Sequence, residues 1–247
     1  MSMMQSAAPQ PPRCLSLPTL LVAAFLLLPL APAGAQSLFG IRISELFVSA
    51  MPVWTYNGFL EDGSGTVVQG SDISPITMSF GAGLELRLSQ LFSVEPEAWF
   101  STQEYAALNA YDKVVPTQIE TGSAVGDIAN AIIFGISIPA VFHWDPSWSG
   151  NWEFNGSAGL GLVFRIPISA IDGSELGPIA RYWFAGRFIY PEFGVSADYQ
   201  FASRIQVGAG LTWYLPFYNA WGRNVDVGFL DETMLRYGLR VRWLIGE

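Results

Sequence analysis

Apolar and polar side chains alternate along residues 75–100 of this sequence. Seven apolar residues share one parity before residue 89, and the polar or small residues between them share the other. The apolar set is Ile76, Met78, Phe80, Ala82, Leu84, Leu86 and Leu88, and the other set is Thr77, Ser79, Gly81, Gly83, Glu85 and Arg87. Successive side chains of a β-strand point to opposite faces, so the pattern predicts a long strand with one continuous apolar face.

The same alternation recurs along the chain and predicts eight strands. They lie at residues 38–53, 75–88, 92–103, 128–144, 152–166, 182–199, 204–217 and 233–245. Most of them exceed the roughly five or six residues usual in soluble sheets. They reach the length of about 9–11 residues that a tilted membrane-spanning strand needs.

The predicted connections alternate between long and short. The long ones are 54–74, 104–127, 167–181 and 218–232, and the short ones are 89–91, 145–151 and 200–203. This alternation is typical of an outer-membrane barrel, with long extracellular loops and short periplasmic turns. The fold prediction is therefore an all-β, transmembrane, up-and-down antiparallel β-barrel, closed because an open strand edge is costly in hydrocarbon. Eight strands are expected, or ten if residues 67–73 add to the sheet.

Two places interrupt the alternation. Glu45 shares the parity of Ile41 and Ile43, and in the sixth predicted strand the apolar parity changes near residues 189–191. A β-bulge shifts the parity of a strand by one residue. We therefore expect a bulge near residues 44–46 and another near residues 189–191, rather than a glutamate that faces lipid.

Aromatic residues on the apolar parity collect near both ends of the predicted strands. Phe92, Trp144, Trp152, Tyr199 and Trp243 lie near the short turns or the end of the last strand; Trp54, Phe100, Phe164, Tyr182, Trp213 and Phe217 lie near the long connections. Membrane barrels carry an aromatic girdle at each membrane interface. The sequence therefore predicts two girdles, with lipid-facing strand surface between them.

The N-terminal region differs from the rest of the chain. Arg13 precedes an apolar run over residues 15–30, and the small-residue pattern of residues 33–35 follows it. This order is typical of a secretory signal peptide. We expect residues 1–35 to be a signal peptide, with a membrane anchor as the competing interpretation, and residues 36–247 to form the barrel domain.

Charged residues on the non-lipid parity are expected to project into the barrel. They are Arg42, Glu85, Arg87, Glu95, Glu97, Glu153, Asp198, Arg204, Arg236, Arg240 and Arg242. An eight-stranded barrel has an interior that side chains can fill, and close glutamates require arginines between them. Two interpretations remain: an ion-paired plug, or a gated ion path.

The other half of the predicted lumen carries small residues. Gly135, Ser137, Gly159, Gly161 and Gly210 are examples. They either leave a cavity for a small-molecule ligand or make room for Arg165 and Tyr214, and both interpretations stay open. The long connections are acidic; pairs such as Asp231–Glu232 form either a solvated surface or a divalent-cation site.

Composition excludes several functions. The net charge of −9 disfavours nucleic acid as a partner. The single histidine is His143 and the single cysteine, Cys14, lies in the predicted signal peptide, so we expect no metal site, no cofactor and no enzyme activity. His143 is predicted at the periplasmic rim, away from outer-leaflet lipid.

The amphipathic strands, alternating connections and two girdles resemble those of the small eight-stranded outer-membrane barrels OmpA, OmpX and OmpW and of generic outer-membrane barrels of diderm bacteria, including spirochaetes. The resemblance covers residues 36–247 and is one of architecture, without a residue-by-residue motif. It implies a location in the outer membrane, contact with lipid and lipopolysaccharide or an equivalent, and insertion by the barrel assembly machinery. It also implies a non-enzymatic structural or surface-interaction role, or alternatively a narrow channel or carrier for a small, hydrophobic solute.

Overall fold

Eight antiparallel strands form a closed ring. In this computed structural model they are β1 (Ile41–Thr55), β2 (Ile76–Arg87), β3 (Glu97–Leu108), β4 (Ile128–Trp144), β5 (Trp152–Ile171), β6 (Ile189–Ala202), β7 (Ile205–Tyr214) and β8 (Met234–Leu244). Each strand pairs with its neighbours in sequence, and β8 pairs with β1 to close the ring. The predicted all-β, up-and-down antiparallel architecture is confirmed.

The structure describes residues 37–38, 41–57, 60–61, 67–68, 75–108, 113–116, 126–146, 148, 150–171, 173–220 and 230–245. The predicted signal peptide lies outside these residues and stays a prediction.

Among the described residues, five short strands and two helical segments accompany the ring. The short strands are Ser37–Leu38, Leu60–Glu61, Val67–Val68, Phe92–Val94 and Lys113–Pro116; the helical segments are the α-helix α1 (Leu176–Phe184) and the 3₁₀ segment Phe217–Ala220. Val67–Val68 pairs only with Leu60–Glu61, in a separate two-stranded sheet. The described part of the 67–73 segment therefore adds no strand to the ring.

The two faces of each strand have opposite burial. On β4, Ile133, Ser137 and His143 are buried, whereas Ile138 and Trp144 are each 52% exposed. Similar outward exposure is seen for large apolar side chains around the ring: Ile76, Leu160, Phe193, Val195, Leu211, Trp213 and Leu239. An exposed apolar surface that encircles a closed barrel is suited to contact with lipid rather than with water. Within the described ranges, no helix has the length and apolar character required to cross a bilayer.

Connections sort by length at the two ends of the barrel. At one end, β2, β4 and β6 are followed by the short connections 88–96, 145–151 and 203–204. At the other end, the connections 56–75, 109–127, 172–188 and 215–233 are long. These ends are called the short-turn end and the long-loop end below. The predicted alternation is confirmed.

The predicted bulge near residues 44–46 is confirmed. The register between β1 and β2 shifts between Ile43 and Glu45. The extra residue rotates Glu45 to the inner face, where the residue is 6% exposed. Glu45 therefore avoids lipid and joins the charged residues inside.

The sixth predicted strand, 182–199, is wrong at its start. Residues up to Phe184 belong to α1, and β6 begins at Ile189. Ile179 and Trp183, which are one helical turn apart, form the buried face of α1. The parity change near residues 189–191 marks the entry into β6, whose pairing with β5 is regular there, so the predicted second bulge is also wrong.

Gly135 on β4 is required because Trp99 on β3 occupies the space beside it. A Cβ atom built on Gly135 would lie 2.0 Å from Trp99 Cε2. We expect Gly135→Ala to destabilise the folded barrel by about 1–3 kcal/mol through overpacking. Urea unfolding in detergent measures the change. Gly156→Ala is the control, since a Cβ on Gly156 would meet nothing within 4 Å and unfolding should be unchanged.

Candidate functional site

A cluster of ionised side chains fills the lumen toward the short-turn end. This lumen cluster is defined as Glu45, Glu85, Glu95, Asp198, Arg240 and Arg242. Strands β1, β2, β6 and β8 each place an inward-facing charged side chain at this depth of the lumen. Glu95, which precedes Pro96, adds another. Each carboxylate of the cluster is buried.

Arg242 is the centre of the lumen cluster. Its side chain is 2% exposed, and its guanidinium contacts four carboxylates. The nitrogen–oxygen distances are 3.2 Å to Glu45, 3.5 Å to Glu85, 2.9 Å to Glu95 and 3.5 Å to Asp198. A single guanidinium on β8 therefore links carboxylates from β1, β2, β6 and the segment before β3, and its planar fork suits this role better than a lysine would.

Arg240 and two polar neighbours complete the cluster. Arg240 lies 3.3 Å from Glu95 and 3.9 Å from Asp198. Asn155 on β5 donates a hydrogen bond of 2.8 Å to Asp198. At the rim, Arg87 forms a 2.8 Å ion pair with Glu85. The contacts span the width of the lumen from one wall to the opposite wall.

A second charged layer lies closer to the long-loop end. Arg236 binds Glu97 through two parallel contacts of 3.0 and 3.2 Å. Arg236 Nε also donates to Ser79 Oγ at 3.1 Å, and the guanidinium lies 4.5 Å from the centre of the Trp99 ring. The hydroxyl of Ser49 donates to the same glutamate. The bidentate geometry and the burial of Arg236 make this pair a rigid cross-link between β3 and β8.

Two arginines predicted for the lumen lie elsewhere. Arg204 is exposed in the turn between β6 and β7, because β7 begins one residue later than predicted. Arg42 is exposed at the short-turn rim, opposite Arg87 on β2. The remaining nine predicted lumen residues lie on inner faces of the ring or at its rim.

His143 joins a serine and a glutamate inside the short-turn end. Its Nε2 lies 2.7 Å from Ser93 Oγ and its Nδ1 lies 2.6 Å from Glu153 Oε1. His143 is only 3% exposed. Glu153, which was predicted to pair with arginines, is thus the partner of the histidine. Ser93 was missed by the sequence analysis although it shares the inward parity of Glu95.

The long-loop end is closed by a polar and aromatic cap. The cap is defined as α1, Lys113, Arg187, Tyr218, Asp231 and Glu232. The hydroxyls of Tyr182 and Tyr218 both donate to the Glu232 carboxylate, and Lys113 pairs with Asp231. Arg187 lies 3.8 Å from Glu232 and 3.9 Å from the centre of the Tyr182 ring. These contacts tie the helix to the turn before β8.

Two acidic residues of the cap differ from expectation. Asp231 and Glu232 are 3% and 1% exposed, so this pair is not a solvated surface. Its carboxylates bind Lys113, Tyr182 and Tyr218 instead. Burial and the charge of Glu232 raise the pKa of both Tyr182 and Tyr218 well above the usual value. Both hydroxyls therefore stay protonated, as donors to Glu232, through the whole neutral range.

Under the cap, Arg165 is buried among aromatic residues. It donates to the hydroxyls of Tyr105 and Tyr190, each at 2.9 Å, and lies 4.1 Å from the centre of the Trp183 ring. The sequence left two interpretations of the small residues: an open cavity, or room for Arg165 and Tyr214. This region favours the second, because a Cβ on Gly161 would lie 2.7 Å from Tyr214.

The sequence analysis missed Trp99 and Trp183 as lumen residues, although Trp99 shares the parity of Glu97.

A polar cavity remains between the two charged layers. Its inner wall includes Glu95, Glu97, Ser137, Asn155, Glu192, Thr212 and Arg240. Gly194 and Gly210 leave the space on the β6–β7 side of the lumen. Phe47, Met51, Pro139, Val141, Val195 and Leu211 also line it. Carboxylates, one guanidinium and apolar side chains therefore share the wall of this cavity.

Residues predicted for the girdles lie on the outer surface. Phe92, Trp144, Trp152, Tyr199, Trp213 and Phe217 are each more than one third exposed, and Trp54, Phe100, Phe164 and Trp243 are half-buried. Tyr182 is the exception, since it belongs to α1 and binds Glu232. At the short-turn end, Trp144 also contacts Phe154 and Trp148.

No protein-family model and no curated protein matches the sequence. Among solved structures, the chain is similar to Neisserial surface protein A, with 12% identity and a TM-score of 0.43 over 80% of this chain and 96% of that one. It is also similar to Ail of Yersinia pestis in complex with a heparin analogue (10% identity, TM-score 0.37, 82% and 98% covered). A third similar structure is the outer membrane protein AlkL in lipid bilayers, with 12% identity and a TM-score of 0.37 over 87% of this chain and 93% of that one. At such low identities and TM-scores, none of these likenesses assigns a function to this chain.

Proposed function

We propose that this chain is a non-enzymatic integral outer-membrane protein with a closed lumen, whose role is structural or is carried out by its long loops at the cell surface. The apolar outer surface contacts lipid, and the long-loop end faces the outside, where lipopolysaccharide or an equivalent surrounds it. The short turns face the periplasm. Insertion depends on the barrel assembly machinery.

The observation that carries this proposal is a series of side-chain layers that cross the lumen above and below the cavity. From the periplasmic side, the lumen cluster, the Arg236–Glu97 pair and the aromatic residues around Arg165 follow one another. The cap then covers the outer end. An ion that crossed the barrel would have to displace each of these layers in turn.

A non-enzymatic role fits the surroundings of the serine and histidine. Ser93, His143 and Glu153 have the connectivity of a serine-hydrolase triad. However, Glu85 and Glu95 lie beside His143, within 4.8 Å between candidate ligand atoms. Carboxylates so close to the serine oppose the negative charge that develops on a reacting carbonyl oxygen. Ser93 is also 1% exposed, out of reach of a lipid ester.

Conductance in planar lipid bilayers tests the closed lumen. We expect the wild-type chain to show no steady ionic current. The double variant Arg240→Ala and Arg242→Ala should show brief current openings more often than the wild type, because it removes both guanidiniums of one of the layers that close the lumen. Steady current through the wild-type barrel would contradict the proposal.

Arg204→Ala serves as the matched control, since it removes an exposed arginine near the same end. It should remain as closed as the wild type. Circular dichroism of each inserted variant verifies that the β-barrel is formed before its current is compared.

The second candidate function is a narrow channel or carrier for a small solute. The polar cavity between the two charged layers favours it, because that space is next to the small residues Gly194 and Gly210 of β6 and β7. Under this alternative the cap would open to admit the solute. Locking the cap would then abolish uptake, whereas a structural barrel would be unaffected.

A further inference from the structure

We propose that the periplasmic half of the lumen binds one divalent transition-metal ion, best matched by Zn²⁺, through Glu85, Glu95 and His143. Each of these three buried residues offers one ligand atom, and the three atoms lie within 4.8 Å of one another. The residues come from β2, from the segment before β3 and from β4, so only the folded barrel brings them together. The expectation of no metal site rested on residue counts alone.

The orientation of His143 fits a metal ligand. Glu153 accepts a hydrogen bond from Nδ1 at 2.6 Å, which fixes the proton on that nitrogen. In the neutral ring Nε2 then carries the lone pair, and the Ser93 hydroxyl, 2.7 Å away, is in position to donate to it. Metal-binding histidines usually donate their second ring nitrogen to a carboxylate in this way. Ser93 either yields its place to the ion or adds a neutral oxygen ligand.

Glu95 has an oxygen available for coordination. Its Oε2 is bound by Arg242 at 2.9 Å and by Arg240 at 3.3 Å. Its Oε1 is buried and has no hydrogen-bond partner among the described residues. A buried carboxylate oxygen without a partner carries a desolvation cost that a bound cation removes. This oxygen is an observation separate from the grouping of the three residues.

The charge balance around the site also favours a cation. The groups that face it are the carboxylates of Glu45, Glu85, Glu95 and Asp198, with Glu153 behind His143, and the guanidiniums of Arg87, Arg240 and Arg242. When ionised, the carboxylates outnumber the guanidiniums, and Arg87 is the most exposed of the three arginines. Buried charges persist when they are paired or coordinate a metal. Protonation is the competing way to remove the excess.

The ligand atoms select the kind of ion. One imidazole nitrogen with two carboxylates suits Zn²⁺ and its first-row neighbours. Calcium and magnesium prefer oxygen ligands alone.

The proposed Zn²⁺ site does not depend on whether the barrel conducts ions, because Zn²⁺ binding is measured without a current.

The test uses the full chain purified in detergent without a polyhistidine tag, so that His143 is the only histidine. The protein is stripped with EDTA and dialysed against Zn²⁺ in excess Ca²⁺, which masks weak acidic sites on the loops. We expect one Zn²⁺ per chain by elemental analysis, with a Kd measurable by calorimetry. A wild-type chain that retains no Zn²⁺ would overturn the proposal and leave protons to balance the charge.

Variants assign the site. His143→Ala and the isosteric Glu95→Gln should each weaken Zn²⁺ binding by at least about 100-fold, and Glu153→Gln, which acts through His143, by about 10–100-fold. Glu192→Gln is the matched control: it removes another buried lumen carboxylate outside the group and should leave the Kd unchanged. Equal Zn²⁺ retention by wild type and the folded His143→Ala and Glu95→Gln variants would show that the ion binds elsewhere.

Discussion

Arg242→Ala is expected to destabilise the folded barrel by about 3–5 kcal/mol, the usual cost of removing one partner from a buried ion pair. The guanidinium contacts four buried carboxylates, among them Glu95 at 2.9 Å and Glu45 at 3.2 Å. Without it, these buried carboxylates face one another across the lumen and their mutual repulsion is uncompensated. The free energy of unfolding, from urea titration of the barrel in lipid vesicles, measures the loss.

Two further variants separate the contribution of the Arg242 guanidinium from that of a positive charge alone. Arg204→Ala changes an exposed turn residue and should alter the unfolding free energy by no more than about 0.5 kcal/mol. Arg242→Lys keeps the charge but lacks the planar fork, so it should recover only part of the stability. If Arg242→Ala unfolds at the same urea concentration as the wild type, the lumen cluster contributes no net stability and the plug is held by packing alone.

The second large effect is expected at the cap. Glu232→Ala removes the acceptor of two tyrosine hydroxyls, Tyr182 and Tyr218, and the nearby partner of Arg187. Hydrogen bonds to a charged group contribute about 1.5–3 kcal/mol each. We expect α1 to open locally at least about 30-fold more often, a change of about 2 kcal/mol or more. Amide hydrogen exchange over residues 176–184 reports this opening.

Glu232 also has an unusual backbone conformation, so a substitution there changes backbone strain as well as hydrogen bonding. Its φ of 67° lies in the left-handed region, which is rare for a residue with a side chain. Glu232→Gly relieves that strain while removing the carboxylate, so cap opening in this variant isolates the contribution of the hydrogen bonds. Glu175→Ala is the control, because the Glu175 side chain makes no capping hydrogen bond to α1. Unchanged exchange in Glu232→Ala would mean that the Lys113–Asp231 pair and the packing of Trp183 hold the cap without Glu232.

Much of the barrel was predictable because the period of two is a direct consequence of strand geometry. The bulge before Glu45 was predictable for the same reason: a charged side chain on the lipid parity has a large cost, which a one-residue shift removes. Helix α1 was not predicted because Tyr182, Phe184 and Phe188 share one parity, which predicts a strand that begins at residue 182. Its buried residues, Ile179 and Trp183, follow a helical spacing that two positions alone do not establish.

The contacts across the lumen were less predictable than the strands. Parity gives the direction of a side chain, but not which residue it meets from the opposite wall. Thus Glu153 was grouped with the arginines, whereas in the fold it binds His143. Partners are set by strand stagger and by the length of each side chain, and both depend on the closed ring.

The seam between β1 and β8 determines the order in which the barrel can assemble. Its ladder runs from Met234 opposite Thr55 to Leu244 opposite Glu45, so it joins the first and last strands of the ring. Pairing between such distant parts of a chain forms late, since loop closure costs entropy before contacts are gained. Until then two edges carry unpaired amides, which hydrocarbon does not satisfy. A template that pairs temporarily with these edges is therefore needed until the last strand has been delivered.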